Sequence, residues 1–217
     1  MDQTKQPTAP FRDYLPYVLP FLVFAGMTYA TPFFHIPPGP AYAIKILASF
    51  LVLVPCISKV RLEIRPFMDK NAIMAGMVAF ALWIGLENTY PLLGSPTGFH
   101  PEETGNPMVW VSIRLLGAAI VVPVMEELFW RSFALRFLMD KNFRQIPLGS
   151  FSWFSFIFVS MAFGIEHHRW LPGILTGMLY ALVLYQKKNL FSPILAHGVT
   201  NFLLGVYVIV NRSWGFW

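Results

Sequence analysis

The sequence predicts an all-α fold, a polytopic transmembrane bundle of about seven spans, on three observations. Charged residues make up 12% of the 217 and hydrophobic ones 56%. The apolar residues gather into stretches of about membrane-crossing length. Lys and Arg concentrate in alternate connections between those stretches. A soluble domain carries roughly 25% charged residues, and half that supply cannot coat a surface facing water. A soluble protein, a disordered tail and a secreted disulfide scaffold are excluded. The single cysteine, Cys56, can form neither an internal disulfide nor a Cys-based zinc motif, and reads as a small apolar residue.

In chain order the apolar stretches run roughly 14–34, 41–57, 71–90, 108–125, 148–166, 170–186 and 190–210. Most approach the ~20 residues a helix needs to cross ~30 Å of hydrocarbon. The first is too long for a signal peptide, and no small-residue cleavage site follows it. Pro37-Pro38-Gly39-Pro40 turns the chain between the first two. Lys59, Arg61, Arg65 and Lys70 separate the second from the third. The segment 91–107, rich in Gly, Pro, Ser and Thr, carries Glu102 and Glu103 and no cation. Arg136, Lys141 and Arg144 follow the fourth span, and Lys187 and Lys188 the sixth. With Lys5 and Arg12 ahead of the first span, eleven cations lie on one side, against Arg169 and Arg212 on the other. The bias places the N-terminus in the cytoplasm. It also explains the net charge of +5 without a nucleic-acid partner. Trp110, Trp170, Trp214 and Trp217 stand near span ends, where indoles favour the headgroup layer. The chain reads as one integral membrane domain over 1–217, with the lipid bilayer as its solvent.

An ionisable side chain inside a span costs at least about 2.5 kcal/mol, so the few present mark where function is to be sought. Lys45 and Arg114 lie near span ends and are expected to snorkel to the headgroups. Glu87 falls at an outer interface. The remainder pair at helical spacing. Glu127 and Arg131, four apart, share a face and can form an ion pair. Glu126 points about 100° away from Glu127. Phe163 and His167, and His197 and Asn201, are also four apart. Three spans thus present a carboxylate, an imidazole, and an imidazole with an amide. Interhelical clamps of this kind exist, but a clamp needs fewer ionisable groups.

No HExxH, GxSxG or GxGD motif occurs, so zincin, serine and aspartyl machinery is absent. What remains is a carboxylate and imidazole activating water. Burial makes a carboxylate a better base. Glu126 is therefore the expected base and Glu127 the ionised partner of Arg131. His167 would share the water and protonate the leaving amine. His197 and Asn201 would donate to the oxyanion of a tetrahedral intermediate. Spacing does not choose between His167 and His168. Nor does it exclude a zinc ion on Glu126, His167 and His197.

Glu126-Glu127-Leu128-Phe129-Trp130-Arg131 resembles the EExxxR motif of the CAAX-protease and bacteriocin-processing membrane family. Phe163-Gly164-Ile165-Glu166-His167 resembles its FxxxH motif, and His197-Gly198-Val199-Thr200-Asn201 its HxxxN motif. The resemblance covers about 108–210. It implies a glutamate-dependent intramembrane endopeptidase without a cofactor, acting on a membrane-associated protein or peptide. Glu126 and His167 would activate water, and His197 and Asn201 would form the oxyanion hole. Glu127, Arg131 and Phe163 would support them. The FxxxH match selects His167 over His168. The surrounding wording is similar to a bacterial branch associated with exosortase sorting systems, which implies a bacterial inner membrane. A metal-dependent hydrolase and a non-catalytic scaffold or bacteriocin-immunity protein are the rival readings. A transporter is weaker, since no pair of matching broken spans is evident.

One expectation conflicts with another. The fifth span runs outward, so His167 should lie near the outer face, whereas His197 begins the seventh span near the inner one. Pro123, Pro172-Gly173 and Pro193 are the candidate break points for reconciling them.

Overall fold

A computed structural model describes residues 11–94, 99–101 and 104–217. Lys5, Glu102 and Glu103, which entered the reading of the connections, lie outside the described residues. Seven long helices follow one another: α1 Leu15–Ala30, α2 Pro38–Val60, α3 Lys70–Gly85, α4 Pro107–Phe137, α5 Trp153–Ile165, α6 Trp170–Lys187 and α7 Phe191–Asn211. The fold class is as expected, and no strand occurs among the described residues. α1 with its 3₁₀ extension, α2, α4 and α7 are long and apolar enough to cross a membrane. α3 and α5, at 16 and 13 residues, are shorter apolar helices. Leu22, Leu51, Met74, Ile120, Phe158 and Val210 are exposed on the outside of the bundle, a surface suited to lipid.

Boundaries moved where pattern alone was weakest. The fourth span does not end near 125 but continues to Phe137, so Glu126, Glu127 and Arg131 lie inside a helix. The third ends at Gly85 and the fifth begins at Trp153. Pro172 and Pro193 break nothing. Each sits in the first turn of its helix, where the missing N–H has no partner to lose.

α4 is the central element. It packs against α1, α2, α5, α6 and α7, while α3 lies against α6 and α7. Two π-helical stretches, Gly117–Val121 and Leu128–Ala134, flank a short α-helical segment, Val122–Glu127. Pro123 accounts for part of this. The Val122 N–H bonds to the Gly117 carbonyl, so it does not serve Ala118. Pro123, next in line for Ala118, has no N–H to give. The Ala118 carbonyl is satisfied from outside, by Asn201 Nδ2 of α7 at 2.9 Å. The proline thus converts a helix irregularity into a specific interhelical bond.

Polar ties lock the two ends. Asp69 caps α3 by accepting from the N–H groups of Asn71 and Ala72. The same carboxylate accepts from Ser192 Oγ at 2.7 Å and pairs with Lys187 at 3.4 Å, joining the starts of α3 and α7 to the end of α6. Glu63 takes Arg136, Tyr17 and Ser132. At the opposite end Arg169 grips Glu87 through two 2.7 Å bonds.

α3 and α7 approach closely because position 76 has no side chain. A Cβ on Gly76 would come within 2.5 Å of the Ala196 carbonyl oxygen and 2.7 Å of Val199 Cβ. Small residues permit such approach in membrane bundles. Gly76→Ala is therefore expected to cost about 1–3 kcal/mol through overpacking, read as a lower thermal midpoint of the detergent-solubilised protein. An unchanged midpoint would show that the two helices separate freely.

Candidate active site

A cavity of about 500 Å³ opens among α1, α2, α4, α6, α7 and the turn after α5. Glu126, Phe163, His167, His197 and Asn201 all border it. Glu127 and Arg131, the expected supports, lie behind its wall, 0% and 1% exposed.

The two glutamates diverge as helix geometry requires. Glu127 turns into the protein. Its Oε2 lies 3.1 Å from Arg131 Nε, an ion pair rather than an aligned hydrogen bond. Its Oε1 accepts from His197 Nδ1 at 2.9 Å. Glu126 turns to the cavity. It is 5% exposed and its Oε2 has no hydrogen-bond partner. His197 Nε2 stands 4.0 Å from that oxygen.

Arg131 is held on three sides. Besides Glu127, it donates to the Gly177 carbonyl at 3.2 Å, and its guanidinium lies 4.2 Å from the centroid of the Phe163 ring. A buried guanidinium over a ring face gains a cation–π attraction. Phe163 joins the whole site: its centroid is 5.0 Å from that of His167 and 6.0 Å from that of His197, and it meets Trp130 and Tyr180 edge-on.

The tautomers follow from the partners. His167 Nδ1–H donates to the Phe163 carbonyl at 2.8 Å, so in the neutral ring Nε2 carries the lone pair. His197 Nδ1–H donates to Glu127, so its Nε2 is the atom available to the cavity. His168 also borders the cavity, but it is exposed and its Nδ1 donates to the Leu93 carbonyl. The choice left open by spacing therefore has a structural contrast: one imidazole is oriented by its own helix, the other ties down a loop.

The depth conflict has a simple resolution. At 13 residues, α5 covers about 20 Å, less than the ~30 Å of hydrocarbon. A residue just past its end need not reach the far face. His197 stands two turns into α7, and the Phe163 ring bridges the two imidazoles.

Several residues at the site were missed from sequence. Tyr180 stacks on His197 with centroids 5.1 Å apart and planes at 20°, and its hydroxyl donates to Thr200 Oγ1 at 2.8 Å. Thr200 in turn reaches the Gly76 and Ala196 carbonyls, each at 3.0 Å. The polar pair Thr176 and Tyr180, four apart in an apolar helix, was a usable signal. Glu166 borders the cavity, while its neighbour Arg169 pairs with Glu87 instead. Lys45 and Arg114 correct the snorkelling expectation: both border the cavity and rest on aromatic rings. The aromatic faces offer these cations a closer partner than the headgroup layer does.

Among the described residues no group of three His, Cys, Asp or Glu is arranged to hold a metal ion. The His197 ring donates Nδ1–H to Glu127 and turns Nε2 toward Glu126, 4.0 Å away. What the arrangement offers is a buried carboxylate with an unpartnered oxygen, two imidazole nitrogens and a carboxamide around one space.

Residues 108–203 match the family model described as type II CAAX prenyl endopeptidase Rce1-like. No curated protein and no solved structure matches the chain. The matched segment holds α4, α5, α6 and the first part of α7, which together carry Glu126, His167, His197 and Asn201. Through residues 108–203, the chain is similar to the CAAX-protease family.

Proposed function

We propose that this membrane protein is an intramembrane endopeptidase that hydrolyses a peptide bond of a membrane-associated protein or peptide. The observation that carries the reading is Glu126 Oε2: a buried carboxylate oxygen without a hydrogen-bond partner, facing a cavity shared with His167 and His197. Leaving such an atom unsatisfied is costly, and groups of this kind cluster at functional sites.

In this mechanism Glu126 takes a proton from water as the water attacks the scissile carbonyl. The His167 Nε2 lone pair shares that proton and passes it to the leaving amine. Asn201 turns one amide N–H to the Ala118 carbonyl, which holds the side chain still. Its second N–H is free to meet the oxyanion. His197 can donate from Nε2 only when both ring nitrogens carry protons. Glu127, accepting at Nδ1, orients the ring, and Arg131 in turn holds Glu127 in place. Tyr180 fixes the imidazole plane from one face. The site residues serve a bacterial inner-membrane protein whose N-terminus is cytoplasmic, and an exosortase-type sorting system is a candidate source of substrate. The rival reading, a scaffold or immunity protein, requires the cavity to bind without turnover.

The two glutamates separate by mutation. Glu126→Gln should abolish cleavage, measured by comparing the membrane proteomes of cells carrying wild type and variant, with a nearly unchanged thermal midpoint. Glu127→Ala strands a buried Arg131 and should cost about 3–5 kcal/mol, seen as loss of folded protein. Identical stability of the two variants would refute this division. Unaltered proteomes alongside a folded Glu126→Gln protein would favour the scaffold.

Activity should also survive extensive chelation, because water activated by carboxylate and imidazole needs no Lewis acid. Metal content of the purified active protein must be measured in parallel, since chelators enter a membrane cavity slowly. Stoichiometric zinc with activity tracking its occupancy would overturn the glutamate mechanism.

A further inference from the structure

Two cations in the cavity take no part in the chemistry above. Lys45 of α2 and Arg114 of α4 both border it, and neither has a carboxylate in contact among the described residues. The three buried arginines differ in this respect: Arg131, Arg136 and Arg169 each hold a glutamate, Glu127, Glu63 and Glu87 respectively. Lys45 donates to Thr28 Oγ1 at 3.1 Å and sits 4.2 Å from the centroid of Phe24. Arg114 lies over Tyr42 at 4.6 Å and over Trp217 at 5.5 Å. Lys45 Nζ is itself 5.3 Å from the Tyr42 centroid, so the two charged heads stand less than 10 Å apart. Like charges held this close in apolar surroundings repel and lose hydration. Ring faces offset part of that cost, and an anion between the heads would offset more.

The position of these cations relative to Glu126 indicates the ligand. Arg114, Ala118, Val122 and Glu126 recur every four residues along α4, and all four border the cavity. Arg114 and Glu126 thus end one stripe of one helix. Twelve residues at about 1.5 Å each separate them by roughly 18 Å, a little less through the π-helical stretch. An extended peptide advances about 3.3–3.6 Å per residue, so about five residues span the distance. The charged heads rest on rings of the cavity wall, which places the site on the path of a chain lying against Glu126.

We propose that Lys45 and Arg114 form an anion site that holds a carboxylate of the substrate peptide, about five residues from the bond attacked at Glu126. The assignment deepens the peptidase reading and rests on it. Arg114 supplies the planar fork that suits a carboxylate, and Lys45 a second point charge.

The test uses the full chain in phosphatidylcholine nanodiscs, with Glu126→Gln so that bound peptide is not consumed. The probes are three fluorescent pools of apolar hexapeptides. One ends in a free carboxylate, one is amidated but carries a terminal Glu side chain, and one is amidated with Gln in that place. The two carboxylate pools should bind about tenfold more tightly than the third. Lys45→Gln and Arg114→Gln should each remove most of that preference, while Lys45→Arg and Arg114→Lys keep it. Equal binding of the three pools, or equal losses in the charge-keeping and charge-removing variants, would overturn the site. So would displacement of the carboxylate pools by added phosphatidylglycerol acting through Lys45 and Arg114, which would make the anion a lipid phosphate. Turnover by the unsubstituted protein separates the two readings. Cleavage that ignores the carboxylate sinks this site alone. Carboxylate-dependent binding without any cleavage keeps the anion site as a peptide site and sinks the peptidase.

Discussion

Glu127 and Arg131 place two opposite charges one helical turn apart, where neither meets water. Taking ions out of water costs several kcal/mol each, and only close pairing with further hydrogen bonds repays it. Here the repayment recruits three other helices. Arg131 reaches the Gly177 carbonyl of α6 and the Phe163 ring of α5, and Glu127 reaches His197 of α7. The pair on α4 therefore dictates where its neighbours cross. Phe163, Tyr180 and His197 stack around the charges because aromatic faces are what an apolar bundle can offer a cation besides a carboxylate.

That constraint frees Glu126. With its neighbour committed to the interior, the next residue along the helix must point elsewhere, and elsewhere is the cavity. The same logic repeats at Pro123, which leaves the Ala118 carbonyl without a helical donor and so draws in Asn201. Backbone irregularity at depth is tolerated only where something restores the lost bond. In this protein the restoring group belongs to the candidate site. The irregular course of α4, the placement of Asn201 and the cavity are one arrangement.

Charge distribution divides the remaining structure by task. Arg136 with Glu63, Lys187 with Asp69, and Arg169 with Glu87 each close a corner of the bundle. Lys45 and Arg114 hold no carboxylate and lie against rings inside the cavity. Paired cations mark where helices are tied. In the proposed reading, Lys45 and Arg114 mark where the cavity meets a ligand.

The sequence by itself determined the helical membrane class, the order of the helices, the pairing of Glu127 with Arg131 and the divergence of Glu126. These follow from composition and from the fixed pitch of an α-helix, which acts on residues one or four apart. It also exposed the resemblance to the CAAX-protease family through three motifs on separate helices. Only the tertiary structure decided that His197 belongs to Glu127, seventy residues away, that Tyr180 stacks on it, and that Lys45 and Arg114 turn inward. It also decided that the short α5 brings His167 to the cavity of His197. Such contacts depend on how far each helix runs and where it crosses another, and helix pitch carries no information about either.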